Sequence, residues 1–280
     1  MTVALLALGA AAVAAAVTRW VAAGTIPTAR LERRNYRGIP IPTGLGLAVL
    51  VGFAAGAGLI GFVHAVAPRA PSPSIALIGA IPLLILGFGF GLLGLFDDVA
   101  AQQERGWRSH LPDLMRGRIT PGTLKILGGG VIAFVFGSAT ASSFGWALID
   151  AALIALMANL FNALDVRPGR ASKAFVVGAL PLAVIVATLR APLAACLAAV
   201  IAFAVFDLSE RAMLGDAGSN ALGAILGGAV LAADPAAWLR GSLLILLVLL
   251  TLVAEGPTLS AWIDRIGPLR TLDRAGRVTP

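Results

Sequence analysis

Nine runs of apolar residues recur along this chain, each close to the length that spans a lipid bilayer. A hydrocarbon core about 30 Å thick is crossed by roughly 17–25 residues of helix. Within it every backbone N–H and C=O has to be bonded inside the segment, which leaves helices as the natural solution for single runs. The spans are predicted at about 3–23, 43–66, 74–96, 124–142, 144–164, 174–189, 191–206, 217–233 and 241–262. Composition agrees: 59% of the residues are hydrophobic and 12% charged, where a soluble domain carries about 25% charged residues. The expected fold is an all-α, polytopic membrane protein forming one domain over residues 1–280. The first run lacks a basic leader and an A-x-A cleavage site, so it is read as a retained helix. The single cysteine, Cys196, has no internal disulfide partner.

The basic residues give the orientation. Arg30, Arg33, Arg34 and Arg37 lie in the first loop, and Arg105, Arg108, Arg116, Arg118 and Lys125 flank the third. Arg167, Arg170 and Lys173 lie in the fifth, Arg211 in the seventh, and Arg265, Arg270, Arg274 and Arg277 in the tail. The alternate loops hold only Arg69, Arg190 and Arg240. Seventeen against three is a positive-inside bias, which places the amino terminus outside and the carboxyl terminus in the cytoplasm. The net charge of +7 therefore reflects membrane-flanking loops and does not indicate nucleic acid.

Four polar groups stand at the inner ends of their runs. Asp97 and Asp98 close the glycine-studded run "GFGFGLLGLFDDVA". Adjacent helical residues point about 100° apart, so one could ligate a hard cation while the other orients a reactant. Such acids also mark an ordinary helix end, although the helix dipole opposes them there. Asn159, Asn162 and Asp165 in "MANLFNALDVRPGR" share a broad helix face at spacings of three. Two amides in an apolar span serve either a site or helix–helix hydrogen bonding. "RAMLGDAGSNALG" opens a later run, where Asp216 or Ser219 could cap the helix or the turn could hold phosphate. Finally, "RRNYRGIPIPTGLG" offers Arg34 and Arg37 as planar phosphate donors, against the plainer reading of positive-inside charge. Lys125 and Lys173 are the only lysines among 21 basic residues, and both sit where a basic loop meets a helix. His64 and His110 have no partner at metal-ligand spacing, and Glu255, before Gly256 and Pro257, is an intramembrane acid at a predicted kink.

Taken in order, these segments resemble the polyprenyl-phosphate N-acetylhexosamine-1-phosphate transferases, the group that includes phospho-N-acetylmuramoyl-pentapeptide transferase. "RNYRGIPIPTGLG" is similar to the group's first cytoplasmic loop, "FDDV" to its acidic pair, and "LKILGGG" to its next helix start. "NLFNALD" and "LGDAGSNALG" are similar to its asparagine–aspartate and G-D-x-G-S segments. The resemblance implies a Mg²⁺-dependent reaction at the cytoplasmic face of the plasma membrane. A polyprenyl phosphate attacks the β-phosphorus of a UDP-sugar and releases UMP, in cell-envelope glycan synthesis. It implies metal and catalytic roles for Asp97, Asp98 and Asp165, and nucleotide contacts for Asn159 and Asn162. Asp216 and Lys125 would help hold the sugar nucleotide, with Arg37 and Lys173 as further substrate contacts. The bilayer, the lipid phosphate and the UDP-sugar are the implied partners, and a homodimer is compatible with this reading. Three departures stand out. Where the group continues D-G-L-D-G, this chain has "DVRPGR", with Pro168 in place of the second aspartate; the tail "IDRIGPLRTLDRAGRVTP" has no histidine cluster; and the further helix of many members is not seen. A non-catalytic binder or transporter of polyprenyl-linked lipid is the alternative from another class. A transporter would be expected to show midplane ionisable groups and internal repeats.

Overall fold

The computed structural model describes residues 3–67, 71–100, 121–254 and 258–278. Among these are eleven α-helices and one short hairpin. The first helix, α1, spans Val3–Thr25 and continues into a 3₁₀ turn at Ile26–Thr28. Strands β1 (Glu32–Arg34) and β2 (Pro40–Pro42) follow. The long helices are then α2 (Leu47–Val66), α3 (Pro71–Ala100), α4 (Pro121–Thr140), α5 (Phe144–Leu164) and α6 (Arg170–Ile185). After a 3₁₀ turn at Ala187–Leu189 come α7 (Arg190–Leu208), α8 (Gly215–Ala232) and α9 (Ala237–Ala254). Two short helices, α10 (Thr258–Arg265) and α11 (Gly267–Arg274), form the tail.

The protein is an all-α membrane protein. Among the described residues seven helices, α1 to α5, α7 and α9, are long and apolar enough to cross a bilayer. The other two expected spans, α6 and α8, fall outside that set. At 16 residues α6 is short, and α8 opens with Asp216, Ser219 and Asn220. Large apolar side chains such as Leu8, Ile78, Ile85, Val131 and Val184 are turned outward and exposed, which suits a lipid-facing surface.

The helices run up and down, so their ends gather in two groups. One end carries the hairpin, the last turn of α3, the first turns of α4, α6 and α8, and the tail. The inner helix is α8, packed against α3 and α5 along its length and touched by α2, α4 and α6. Sixteen of its residues are buried. Small residues allow this: a Cβ on Gly223 would lie 2.5 Å from the Cα of Ala158 in α5, so only glycine lets the two backbones approach.

At the opposite end a polar staple joins three helices. Asp150 in α5 is fully buried, and Nη1 of Arg240 in α9 donates to its two oxygens at 3.2 and 3.0 Å. Arg240 also reaches Asp234 at 2.8 Å, and the Thr140 hydroxyl of α4 donates to Asp150 at 3.4 Å.

Several boundaries differ from the sequence-based expectation, for local reasons. The second helix starts at Leu47, not 43, because Pro40 and Pro42 sit in β2 and Gly44 adopts a left-handed φ of 74°. The first loop is a hairpin with Glu32 opposite Pro42, Arg33 opposite Ile41 and Arg34 opposite Pro40. The Asn35 side chain accepts from the amides of Arg37 and Ile39 and shapes its turn. The sixth helix begins at Arg170, earlier than the expected 174, behind Gly169 in a left-handed conformation (φ 72°). The last expected span overlaps two described helices, α9 up to Ala254 and α10 from Thr258. Glu255 and the Gly256–Pro257 kink lie outside the described residues, as do Arg69, the acids Glu104 and Asp113, His110 and the arginines between 101 and 120. His64 has a structural partner, with its Nδ1 3.1 Å from the Ser74 hydroxyl.

Candidate active site at the loop-rich end

The site is built outward from the first turn of α8. Asp98, in the last turn of α3, is buried, and its two oxygens accept from the backbone amides of Asp216 (3.2 Å) and Ala217 (3.0 Å). A carboxylate at a helix N-terminus meets unpaired N–H groups and the positive end of the dipole. The expected cap from Asp216 or Ser219 is therefore corrected: α8 has no side-chain cap of its own. Its amides are satisfied from another helix, and the Ser219 hydroxyl donates back to the Gly215 carbonyl at 2.9 Å. Phosphate would have to compete with Asp98 for this helix end.

Gly215 makes the approach possible. Its φ is +68°, and a Cβ there would lie 2.5 Å from the Gly44 nitrogen, 2.7 Å from Asp98 Oδ2 and 2.8 Å from Thr43 Oγ1. The hairpin side is tied to the same turn, with Leu45 and Gly46 donating to the carbonyls of Met213 and Leu214, and Met213 donating to Pro42. We expect Gly215→Ala to cost about 2–4 kcal/mol, combining left-handed strain with overpacking. A thermal melt in detergent checks this, and an unchanged melting temperature would contradict it.

Asp97, one residue before Asp98, points elsewhere, as adjacent helical positions must. Its Oδ2 lies 3.2 Å from Lys125 Nζ in α4. The same ammonium is 2.6 Å from Asp216 Oδ2, and Asn162 Nδ2 in α5 donates to that oxygen at 3.2 Å. The second Asp216 oxygen is 3.3 Å from Arg33, whose guanidinium also lies 3.4 Å from Asp98. Asp97, Asp98, Lys125, Asn162 and Asp216 thus form one connected polar cluster. Asp165 caps the C-terminus of α5 beside it. Burial, then the charges of Asp207, Asp216 and Asp98, push its carboxyl well above the usual carboxylate range, although the Gly215 amide donates to it.

Asn159 lies one turn earlier in α5, half-buried. Arg37, Arg34 and Lys173, the other expected phosphate or substrate contacts, have different partners. Arg37 pairs with Glu210 at 3.1 Å, and Arg34 donates to the Gly38 carbonyl at 2.9 Å. Lys173 donates to the Leu272 and Asp273 carbonyls of α11 at 2.9 and 2.8 Å. The sequence reading did not single out Arg33. Strand alternation turns it to the opposite side from Glu32 and Arg34, and that side faces the acids.

Among the described residues no three acidic, histidine or thiol groups form a ready-made set of metal ligands. The donor chemistry nevertheless fits a hard divalent cation. Four carboxylates, Asp97, Asp98, Asp165 and Asp216, crowd together with two cations, Lys125 and Arg33. The excess negative charge and the oxygen-only donors suit Mg²⁺, which needs few protein ligands when substrate phosphates and water complete its shell. The arrangement can neutralise phosphate groups with Lys125 and Arg33 and position them against an acidic wall.

Comparison with known proteins bears on the same residues. The sequence model of glycosyl transferase family 4 matches residues 80–234. The match runs from within α3 to just past α8, and takes in Asp97, Asp98, Lys125, Asn159, Asn162, Asp165 and Asp216. The hairpin with Arg33 and the tail lie outside it. No curated protein matches the chain.

Proposed function

The chain belongs to glycosyl transferase family 4, and we propose that it transfers a sugar 1-phosphate, N-acetylhexosamine 1-phosphate by resemblance, from a UDP-sugar to a polyprenyl phosphate, releasing UMP. The family is of glycosyl phosphotransferase type, acting with lipid-linked phosphate and sugar nucleotide. The single observation that carries the reading is the cluster itself, in which the matched acids Asp97 of α3 and Asp216 of α8 meet at Lys125, with Asn162 of α5 bonded to Asp216.

The chemistry asks little covalent work of the protein. A phosphate monoester is mostly dianionic near pH 7, with a second pKa of about 6, so the attacking lipid oxygen needs no strong base. It adds to the β-phosphorus, the bond to the α-phosphate oxygen breaks, and UMP leaves with that electron pair. What remains is to position and neutralise charge. Lys125 and Arg33 supply the positive charge for the diphosphate. Asn162 orients the Asp216 carboxylate toward Lys125. Asp97, Asp98 and Asp165 would hold Mg²⁺, which supplies charge neutralisation at the diphosphate when bound. The lipid chain would lie along the outward apolar helix faces, with its phosphate at the loop-rich end. The seventeen-to-three distribution of basic residues supports a cytoplasmic orientation for that end, in the plasma membrane.

The test uses purified protein, Mg²⁺, undecaprenyl phosphate and a panel of UDP-sugars, with UMP as the readout. Release should occur with at least one donor and vanish with a chelator. Retained lipid binding without release from any donor would favour the non-catalytic reading. We also expect Lys125→Met to lower kcat/KM roughly 100-fold, the scale for losing one preorganised charge contact. Lys125→Arg should recover part of it, and a Met variant as active as the parent would remove Lys125 from the mechanism.

A further inference from the structure

The tail is fastened to the segment that carries Asp165 at four neighbouring positions. Arg167 of the α5–α6 connection lies 3.6 Å from Asp264 of α10 and 5.4 Å from the centre of the Tyr36 ring in the hairpin. The Pro168 carbonyl accepts from Nε of Arg277 at 3.1 Å. Arg170, at the start of α6, is buried and makes a two-pronged pair with Asp273 of α11, at 2.8 and 3.1 Å. Its remaining nitrogen donates to the Ser260 hydroxyl of α10 at 3.0 Å. Lys173 holds the carbonyls at the end of α11, and Arg277 completes the group by donating to Asp273.

Pro168 has no N–H to give, and Gly169 is tied to the body by its amide, which donates to Asp207 at 3.0 Å. Burial by itself would raise the Asp273 carboxyl, yet the hydrogen bonds and charge of Arg170, with the charges of Arg277 and Lys173, hold it below the usual carboxylate range. Asp273 is therefore ionised and gripped from two sides. Buried ion pairs are seldom the cheapest way to stabilise a fold, since apolar residues of similar volume serve as well or better. Their directional, forked geometry does fix the placement of the groups around them.

We propose that Arg170, Asp273 and Arg277 are positioning residues of the transfer reaction: the tail holds the 165–170 connection so that Asp165 faces the cluster of Asp98 and Asp216. Among the described residues the tail bonds to positions 167–173 and acts through this connection. The inference rests on the transferase reading for its kinetic part and on geometry alone for its structural part.

The experiment uses the full-length protein in nanodiscs, comparing the parent with Asp273→Asn, Asp273→Glu and Arg277→Met. Hydrogen exchange of the 166–170 amides should speed up tenfold or more in Asp273→Asn while α7 and α8 exchange as before. UMP release should show kcat lowered at least tenfold with the KM for sugar nucleotide little changed. Asp273→Glu should restore part of both. Arg277→Met removes the Pro168 contact, leaves the Arg170–Asp273 pair in place, and should produce the same pattern more weakly. It also serves if Asp273→Asn does not fold. Unchanged exchange in the connection, a uniform rise across the protein, or a loosened connection with unaltered kcat would each overturn the proposal. A parent protein that releases no UMP would overturn the transferase reading, and the exchange data would still decide whether the tail holds this connection.

Discussion

Asp98→Asn should lower UMP release by roughly 10²–10³-fold, the scale seen when one preorganised electrostatic contact is removed from a reacting site. The substitution keeps shape and volume but replaces an oxygen with an NH₂ group. In the structure both Asp98 oxygens face donors: the Asp216 amide and Arg33 on one, the Ala217 amide on the other. Either placement of the new NH₂ sets donor against donor, and a buried unpaired donor costs about 1–3 kcal/mol. The charge that complements the α8 dipole is also lost. The first turn of α8 holds Asp216, so the damage spreads to Lys125 and Asn162. A variant that melts a few degrees lower yet retains parental turnover would show that Asp98 is structural only.

Arg240→Leu should destabilise the protein by about 3–5 kcal/mol, the cost of breaking a buried pair so that one charge is left uncompensated. Asp150 is fully buried, and Arg240 is the basic residue that meets its carboxylate. Its other partner, Asp234, is exposed and can return to water. A fall in melting temperature on the order of 10 °C is the expected readout. The double variant Asp150→Leu with Arg240→Leu removes both charges and should lose much less than Arg240→Leu alone. Equal losses in the single and double variants would contradict the account. Turnover measured at low temperature should survive, because this staple stands at the end of the bundle opposite the cluster.

The spans and the acids were legible in the sequence for one reason: each is a local pattern. A run of apolar residues needs no partner to be recognised, and Asp97–Asp98, Asn162 and Asp165 stand out because they interrupt such runs at one end. Contacts between distant segments were not legible. Asp98 caps a helix whose first residue lies far along the chain, so Asp216 and Ser219 looked like the natural caps. Of the four arginines in the basic loop the sequence points to Arg34 and Arg37, and only the hairpin register, with Arg33 opposite Ile41, turns Arg33 toward the acids. Lys173 reads as a substrate contact, but the tail supplies its partners, the Leu272 and Asp273 carbonyls. The early start of α6 also involves a distant segment, because Arg170 at that start pairs with Asp273 of the tail.

In the proposed reaction phosphorus moves together with the sugar, and a donor labelled with ³²P in its β-phosphate follows it. Purified protein is given that UDP-N-acetylhexosamine, undecaprenyl phosphate and Mg²⁺, and the products are divided between organic and aqueous phases. Label is expected in the lipid diphosphate, with unlabelled UMP in the aqueous phase. Labelled UDP beside an unlabelled lipid-linked sugar would mean that the sugar moves alone, and would contradict the reading of the cluster as a phosphoryl-transfer site.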